Sequence, residues 1–132
     1  MERRVLEMLG ARVSISKVFR AGPIPFSITT LQDGGFVDVN VAFERRYGYA
    51  RAELLGHTVH ELEMWCDPAD RMFMIEQLSR GIPVRNAITW LRAKSGKVKL
   101  TAYSADRIHF EGQACILAVS EDLPEYDQKK AN

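Results

Sequence analysis

The spacing of apolar residues changes several times along this chain, and each change marks an element. Val5, Leu6, Leu9 and Val13 recur at helical intervals with Glu2, Arg3, Glu7 and Arg12 around them, so residues 1–21 read as a helix. Gly10 weakens that helix and can divide it, and Ala21-Gly22-Pro23 ends it. Pro25–Leu31 and Phe36–Val39 are short β-type runs on either side of Asp33-Gly34-Gly35, the pattern of a hairpin. Asn40 suits the N-cap of a helix over Val41–Tyr47, which Gly48 stops. A shorter helix, Arg51–Leu55, follows and ends at Gly56. Ala50 stands where a capping hydroxyl would help it, a loss of about 1 kcal/mol, although Glu53 suits its first turn.

Asp67-Pro68-Ala69-Asp70 opens the longest of the middle helices, Arg71–Arg80, with Asp67 as cap and Pro68 in the first turn. Its inward residues are either Met72, Ile75 and Leu78 or Met74 and Leu78, and Gly81 terminates it. Beyond Pro83 the period becomes two. Val84–Ala93, Lys97–Ile108 and Gln113–Ser120 are separated by Lys94-Ser95-Gly96 and Phe110-Glu111-Gly112, which reads as an antiparallel meander. The expected order is a helix, two strands, three or four short helices and three strands. That order predicts an α+β fold, a five-stranded antiparallel sheet with short helices on one face. The parts are an N-terminal helical cap (1–21), a core domain (22–123) and a polar C-terminal linker or tail (124–132).

Composition narrows the function classes. The chain has 132 residues, 46% hydrophobic and 27% charged, which suits one domain with a real core. A formal net charge of +1 offers no general attraction to nucleic acid or to an anionic membrane. No apolar run is long enough to span a bilayer or to act as a signal peptide. Cys66 and Cys115 are far apart in sequence, so the expectation is two reduced thiols in a cytoplasmic protein.

The element order resembles that of the PAS sensory domains, and short motifs support it. Phe26–Ile28, Asp33-Gly34-Gly35, Val39-Asn40-x-Ala42-Phe43, Gly48-Tyr49 and Glu53-Leu54-x-Gly56 are similar to the N-terminal half of that family. Trp65-x-Asp67-Pro68-x-Asp70-Arg71 resembles the helix opening common in bacterial sensor kinases and diguanylate cyclases. Val84-Arg85-Asn86, Lys94-x-Gly96, Ser104-Ala105, Gly112 and Cys115-Ile116 resemble the closing meander, and Glu121-Asp122-Leu123 its final motif. The resemblance covers residues 16–123. It implies a bacterial signal-input domain, as in two-component systems and transcriptional regulators. Such a domain is expected to be a homodimer. Its effector (a kinase, a cyclic-dinucleotide enzyme or a helix-turn-helix transcription factor) is expected downstream. Pro124 sits where the family continues into a signalling helix. The alternatives are a ligand-free PAS dimerisation module and a small α+β enzyme of the isomerase or dehydratase type.

The resemblance also organises the candidate sites. Haem-type oxygen sensors of the family carry their iron ligand three residues after an Arg on the long helix. Met74 holds that spacing from Arg71, so haem is not expected. His57 and His60 could share a helix face, yet two solvated imidazoles are the plainer reading, and no metal is assigned. Light-sensing relatives carry a reactive Cys three residues after the Gly that matches Gly56; Val59 stands there, which argues against a photoactive flavin. No charged cluster looks built for a carboxylate or phosphate, so any ligand is expected to be small and apolar. The expected pocket lies between the sheet and the middle helices. It draws on Ala87, Thr89 and Leu91 of the third strand, Cys115 and Leu117 of the last, and Met64, Met72 and Met74. On the other face of the third strand, Ile88 and Trp90 stand where relatives place charges. They should not be left in water, so the helix carrying Val5, Leu6, Leu9 and Val13 is expected to cover them, within one subunit or across a dimer. Cys66 with His60 has no accompanying oxyanion motif, and Glu44, Glu53 and Glu61 are scattered, so no catalytic residue is assigned.

Overall fold

Asn40 joins the first strand to the first helix. Its side chain is wholly buried, and its Oδ1 accepts from the backbone N–H of Phe43 (3.0 Å) and of Phe26 (2.9 Å). Its Nδ2 donates to the carbonyl of Ile24 at 2.8 Å. The cap read from the sequence is therefore half of its work; the other half fixes the entry to the sheet.

The computed structural model describes Arg20 and residues 22–123. The expected helix with Val5, Leu6, Leu9 and Val13, and the tail 124–132, lie outside the described residues. The elements are β1 (Phe26–Thr30), β2 (Phe36–Val39), α1 (Val41–Tyr47), α2 (Arg51–Leu54), α3 (Pro68–Ser79), β3 (Val84–Arg92), β4 (Val98–Phe110) and β5 (Gln113–Asp122). The strands form one antiparallel sheet in the order β2-β1-β5-β4-β3. Three helices follow β2 among the described residues, and His57–Glu63 is irregular rather than helical.

Local chemistry explains the boundaries. Asp67 caps α3 by accepting from the Ala69 N–H at 3.0 Å. Ala50 offers α2 no side-chain cap, but Glu53 reaches back to accept from the Ala50 N–H at 2.8 Å. In the β1–β2 turn Gly34 adopts φ +74°, and a Cβ there would stand 2.9 Å from both Arg71 Nη2 and Val59 Cγ2. Glycine is demanded twice over, by conformation and by space.

Both sheet edges are partly occupied. At β2, the Phe36 N–H donates to His57 and the Val59 N–H to the Gly34 carbonyl. At β3, the Cys66 N–H donates to Trp90 and the Arg92 N–H to Met64, while a bulge interrupts the ladder between Val84 and Ala87.

The helices cover one face. Phe36, Val39, Phe43, Tyr47, Leu54, Val59, Met64 and Leu91 form one buried cluster there. Met74, Leu78, Val84, Tyr103, Ala105 and Ile116 form a second under α3. The opposite face carries a third cluster of Ile28 and Cys115 with Phe26, Val37, Ile108, Phe110 and Leu117.

Replacing Asn40 by Ala removes the cap on α1 and the Asn40 bond to the Phe26 N–H. We expect a loss of about 2–4 kcal/mol in urea unfolding. A loss below about 1 kcal/mol would mean that the junction is not critical.

Candidate functional site

A cavity of about 60 Å³ lies between the sheet and the helices. Its sheet side is Ser27, Thr29, Leu91, Tyr103, Ile116, Ala118 and Ser120; its helix side is Phe43, Tyr47, Val59, Met64, Trp65, Arg71 and Met74. The walls are predominantly apolar. Trp65 stands edge-on to Tyr103, with ring centroids 5.5 Å apart and planes at 90°. Phe43 and Tyr47 lie 4.6 Å apart on one side of α1. Tyr103 and the aromatic side of α1 thus hold the cavity open with stiff rings rather than flexible chains.

Of the residues expected in a pocket, Met64, Met74 and Leu91 line it. Ala87 and Thr89 are on the correct face but beside the cavity. Ala87 packs with Met74 and Leu78, and the Thr89 hydroxyl donates to Asp70 Oδ2 at 2.7 Å. Three expectations are corrected. Met72 points to solvent with 66% of its surface exposed, because α3 turns Met74 and Leu78 to the sheet. Cys115 and Leu117 belong to the cluster on the far face. The register Ala105↔Ala118 and Tyr103↔Ser120 puts Ile116, Ala118 and Ser120 on the cavity side instead. Burial, with the charge of Glu111 second, pushes the Cys115 thiol pKa up, so it stays protonated and weakly nucleophilic. Ile88 is 54% exposed and Trp90 half-buried.

Two arginines were not foreseen in the interior. Arg46 is 8% exposed and is ion-paired, although its Nη1, like one nitrogen of Arg71, is buried without a hydrogen-bond partner among the described residues. It pairs with Asp122 at the end of β5, and its Nη2 donates to Thr101 Oγ1 at 2.8 Å. Its Nε donates to the Tyr47 hydroxyl at 3.1 Å. Burial pulls its pKa down, but Tyr47 and Asp122 together outweigh that and hold it above its ordinary value. Arg71 is also 8% exposed and is much less well met. Its Nη2 is buried with no hydrogen-bond partner among the described residues, and burial holds its pKa below the usual value, with Asp33 acting against that. The Asp70-Arg71 pair follows a helix cap, which reads as a solvated first turn; no signal in the sequence marks Arg71 as internal.

Among the described residues no His, Asp, Glu or Cys lines the cavity. Among the described residues no group of three or more His, Cys, Asp or Glu is placed to share a metal. His57 and His60 lie in the irregular segment, and His57 Nδ1 is 3.4 Å from Glu61 at the exposed surface.

Comparison with solved structures identifies the architecture. The chain is similar to the PAS domain of an HTR-like protein from Haloarcula marismortui (TM-score 0.70, 21% identity, 93% of this chain and 100% of that one). It is also similar to a domain of a sensory box sensor histidine kinase/response regulator from Geobacter sulfurreducens (TM-score 0.65, 19% identity, 83% and 92%). A light-oxygen-voltage domain studied with a flavin analogue aligns as well (TM-score 0.67, 20% identity, 89% and 91%). No family model and no curated protein matches the sequence. The chain has the PAS fold, an α+β arrangement with a five-stranded antiparallel sheet.

A flavin does not fit this cavity. About 60 Å³ is far below the several hundred a three-ring cofactor requires, and Val59 rather than a thiol lines the wall. Cys66 does not line the cavity, and Cys115 is on the other face.

Burial, with Asp70 second, pushes the Tyr103 phenol up to about 12 from 10.0. Between those values the folded chain keeps a proton that the unfolded chain has lost, so stability falls as pH rises past about 10. Unfolding free energies from urea titrations between pH 9 and 11 should decline by up to roughly 1.4 kcal/mol per pH unit from this group, and less in Tyr103→Phe. An identical decline in both proteins would show that Tyr103 titrates normally.

Proposed function

We propose that this chain is a signal-input domain that takes a small molecule into its central cavity and passes the change to an effector downstream. The observation that carries this reading is the placement of the cavity. Tyr47 and Ser120 line it, and the Tyr47 hydroxyl is 3.5 Å from Ser120 Oγ and accepts from Arg46, which in turn holds Asp122. A molecule that shifts Tyr47 therefore acts, through Arg46, on the end of the last strand. That is where the chain leaves the domain. Transmission requires two states that the molecule binds unequally, and the Arg46–Asp122 contact is a discrete link that can be made or broken. That no carboxylate or imidazole lines the cavity among the described residues favours sensing over the isomerase or dehydratase alternative.

Dimerisation is the second part of the proposal, with another copy of this chain as the partner. Ile88, more than half exposed beside half-buried Trp90 on the face away from the helices, supports it. It is also the feature that would survive if the domain were a dimerisation module without a ligand.

Native mass spectrometry of protein released under gentle conditions tests the sensor reading. A discrete small component should accompany the chain and should disappear in Ala118→Leu, which fills the cavity. Bare chain mass for both proteins would leave the dimerisation module as the better account. Sedimentation equilibrium tests the second part: Trp90→Glu should shift a dimer to monomer, and a parent that is already monomeric, or a variant that still dimerises, removes this face from the interface.

A further inference from the structure

The cavity is lined by one charged side chain, and among the described residues no carboxylate forms an ion pair with it. The Arg71 guanidinium is roofed by the β1–β2 turn. A Cβ on Gly34 would come within 2.9 Å of Nη2, so the turn approaches as closely as glycine permits. Nη2 is buried and unpartnered among the described residues. The carboxylates that could have served it are used elsewhere. Asp33 accepts from the Thr30 hydroxyl and from the Gly35 N–H at 3.2 Å, and it is drawn below its ordinary pKa first by that hydroxyl. Asp70 accepts from Thr89 at 2.7 Å. Burying a guanidinium without a partner is costly, whereas a Met of similar reach would carry no such cost. Guanidinium remains charged even with a lowered pKa.

We propose that the cavity binds a small organic carboxylate, with its oxygens on the Arg71 guanidinium and its carbon chain against Val59, Met64, Met74 and Leu91. The inference rests on the sensor reading above and replaces the neutral apolar ligand expected from the sequence. Arginine presents a planar fork that matches a carboxylate. The apolar walls favour a carbon chain over a hydrated inorganic ion. Phosphate or sulfate would call for several donors converging on one point, and the lining offers a single cation. Size sets a further limit. The cavity of about 60 Å³ corresponds to about four to six water-sized volumes, the scale of acetate, propionate or pyruvate. A neutral molecule of the same shape would fill the space and leave the charge unpaired.

The test is a nitrogen-15 NMR titration of the whole chain at constant ionic strength, observing backbone amides and the arginine Nε–H resonances. The probes are acetate, propionate and pyruvate, with propionamide, chloride and phosphate as comparisons. A saturable shift of the Arg71 Nε–H and of the Gly34 and Val59 amides is expected with at least one carboxylate. Binding should be about tenfold or more weaker for propionamide and for Arg71→Met. Without added carboxylate, Arg71→Met should melt no lower than the parent, since it removes an unpaired buried charge. Equal binding of propionamide and propionate would overturn the carboxylate assignment and leave ligand sensing intact. Binding of chloride or phosphate alone, or of no probe, would overturn it too, and the native mass spectrum would then judge the sensor reading separately. The parent titration decides the matter whether or not Arg71→Met folds: a carboxylate that moves other amides and leaves the Arg71 Nε–H still does not bind there.

Discussion

The side-chain amide of Asn40 has two acceptor sites and two donor hydrogens, and the backbone of two other segments uses most of them. One segment is the start of α1. The other is the stretch from Ile24 to Phe26 that delivers the chain to β1. Without this shared anchor, β1 could meet β5 in more than one register, since apolar residues lie on both faces of β5. With it, Ser27 and Thr29 face the helices and Ile28 faces away, and the pairing of Ser27 with Ala118 and Thr29 with Ile116 follows. The cavity inherits its sheet wall from that choice.

Two buried arginines then divide the interior by how their charges are met. Arg46 is tied to Tyr47, Thr101 and Asp122, and works as a strut between α1 and the end of the sheet. Arg71 has space beside it and, among the described residues, a buried nitrogen without a hydrogen-bond partner. The two have the same exposure and each has one nitrogen without a hydrogen bond among the described residues, so burial alone does not separate them; the Asp122 ion pair and the bonds to Tyr47 and Thr101 do.

Much of the fold was legible because turns and caps are written in a few residues. Asp67-Pro68 opened α3 and Asp33-Gly34-Gly35 turned the hairpin; on β3, alternation sorted Thr89 and Leu91 from Ile88 and Trp90, and the family resemblance supplied which of the two faces is turned inward, where Thr89 and Leu91 are buried. The site was legible only in part. On β5 both faces are apolar, so period two gives no preference between Cys115 with Leu117 and Ile116 with Ala118; the register with β4 decides it. On α3, Met72 and Phe73 are apolar yet exposed, which blurs the helical stripe that Met74 and Leu78 define. Arg71 was invisible as an internal residue because its burial depends on a turn almost forty positions earlier.

The sheet has two outer strands, and neither offers a clean ladder to another chain. Gly35 and Phe36, at the start of β2, are bridged to Thr58 and Leu55, and Leu91 in the later half of β3 is bridged to Trp65. The earlier half of β3 is bent by its bulge, with Asn86 in a left-handed conformation at φ +53°. Such margins resist the indiscriminate strand-on-strand stacking by which β-rich chains coalesce. An isolated copy of this domain is thus guarded against growing into a fibre by the same irregular segments that frame its interior.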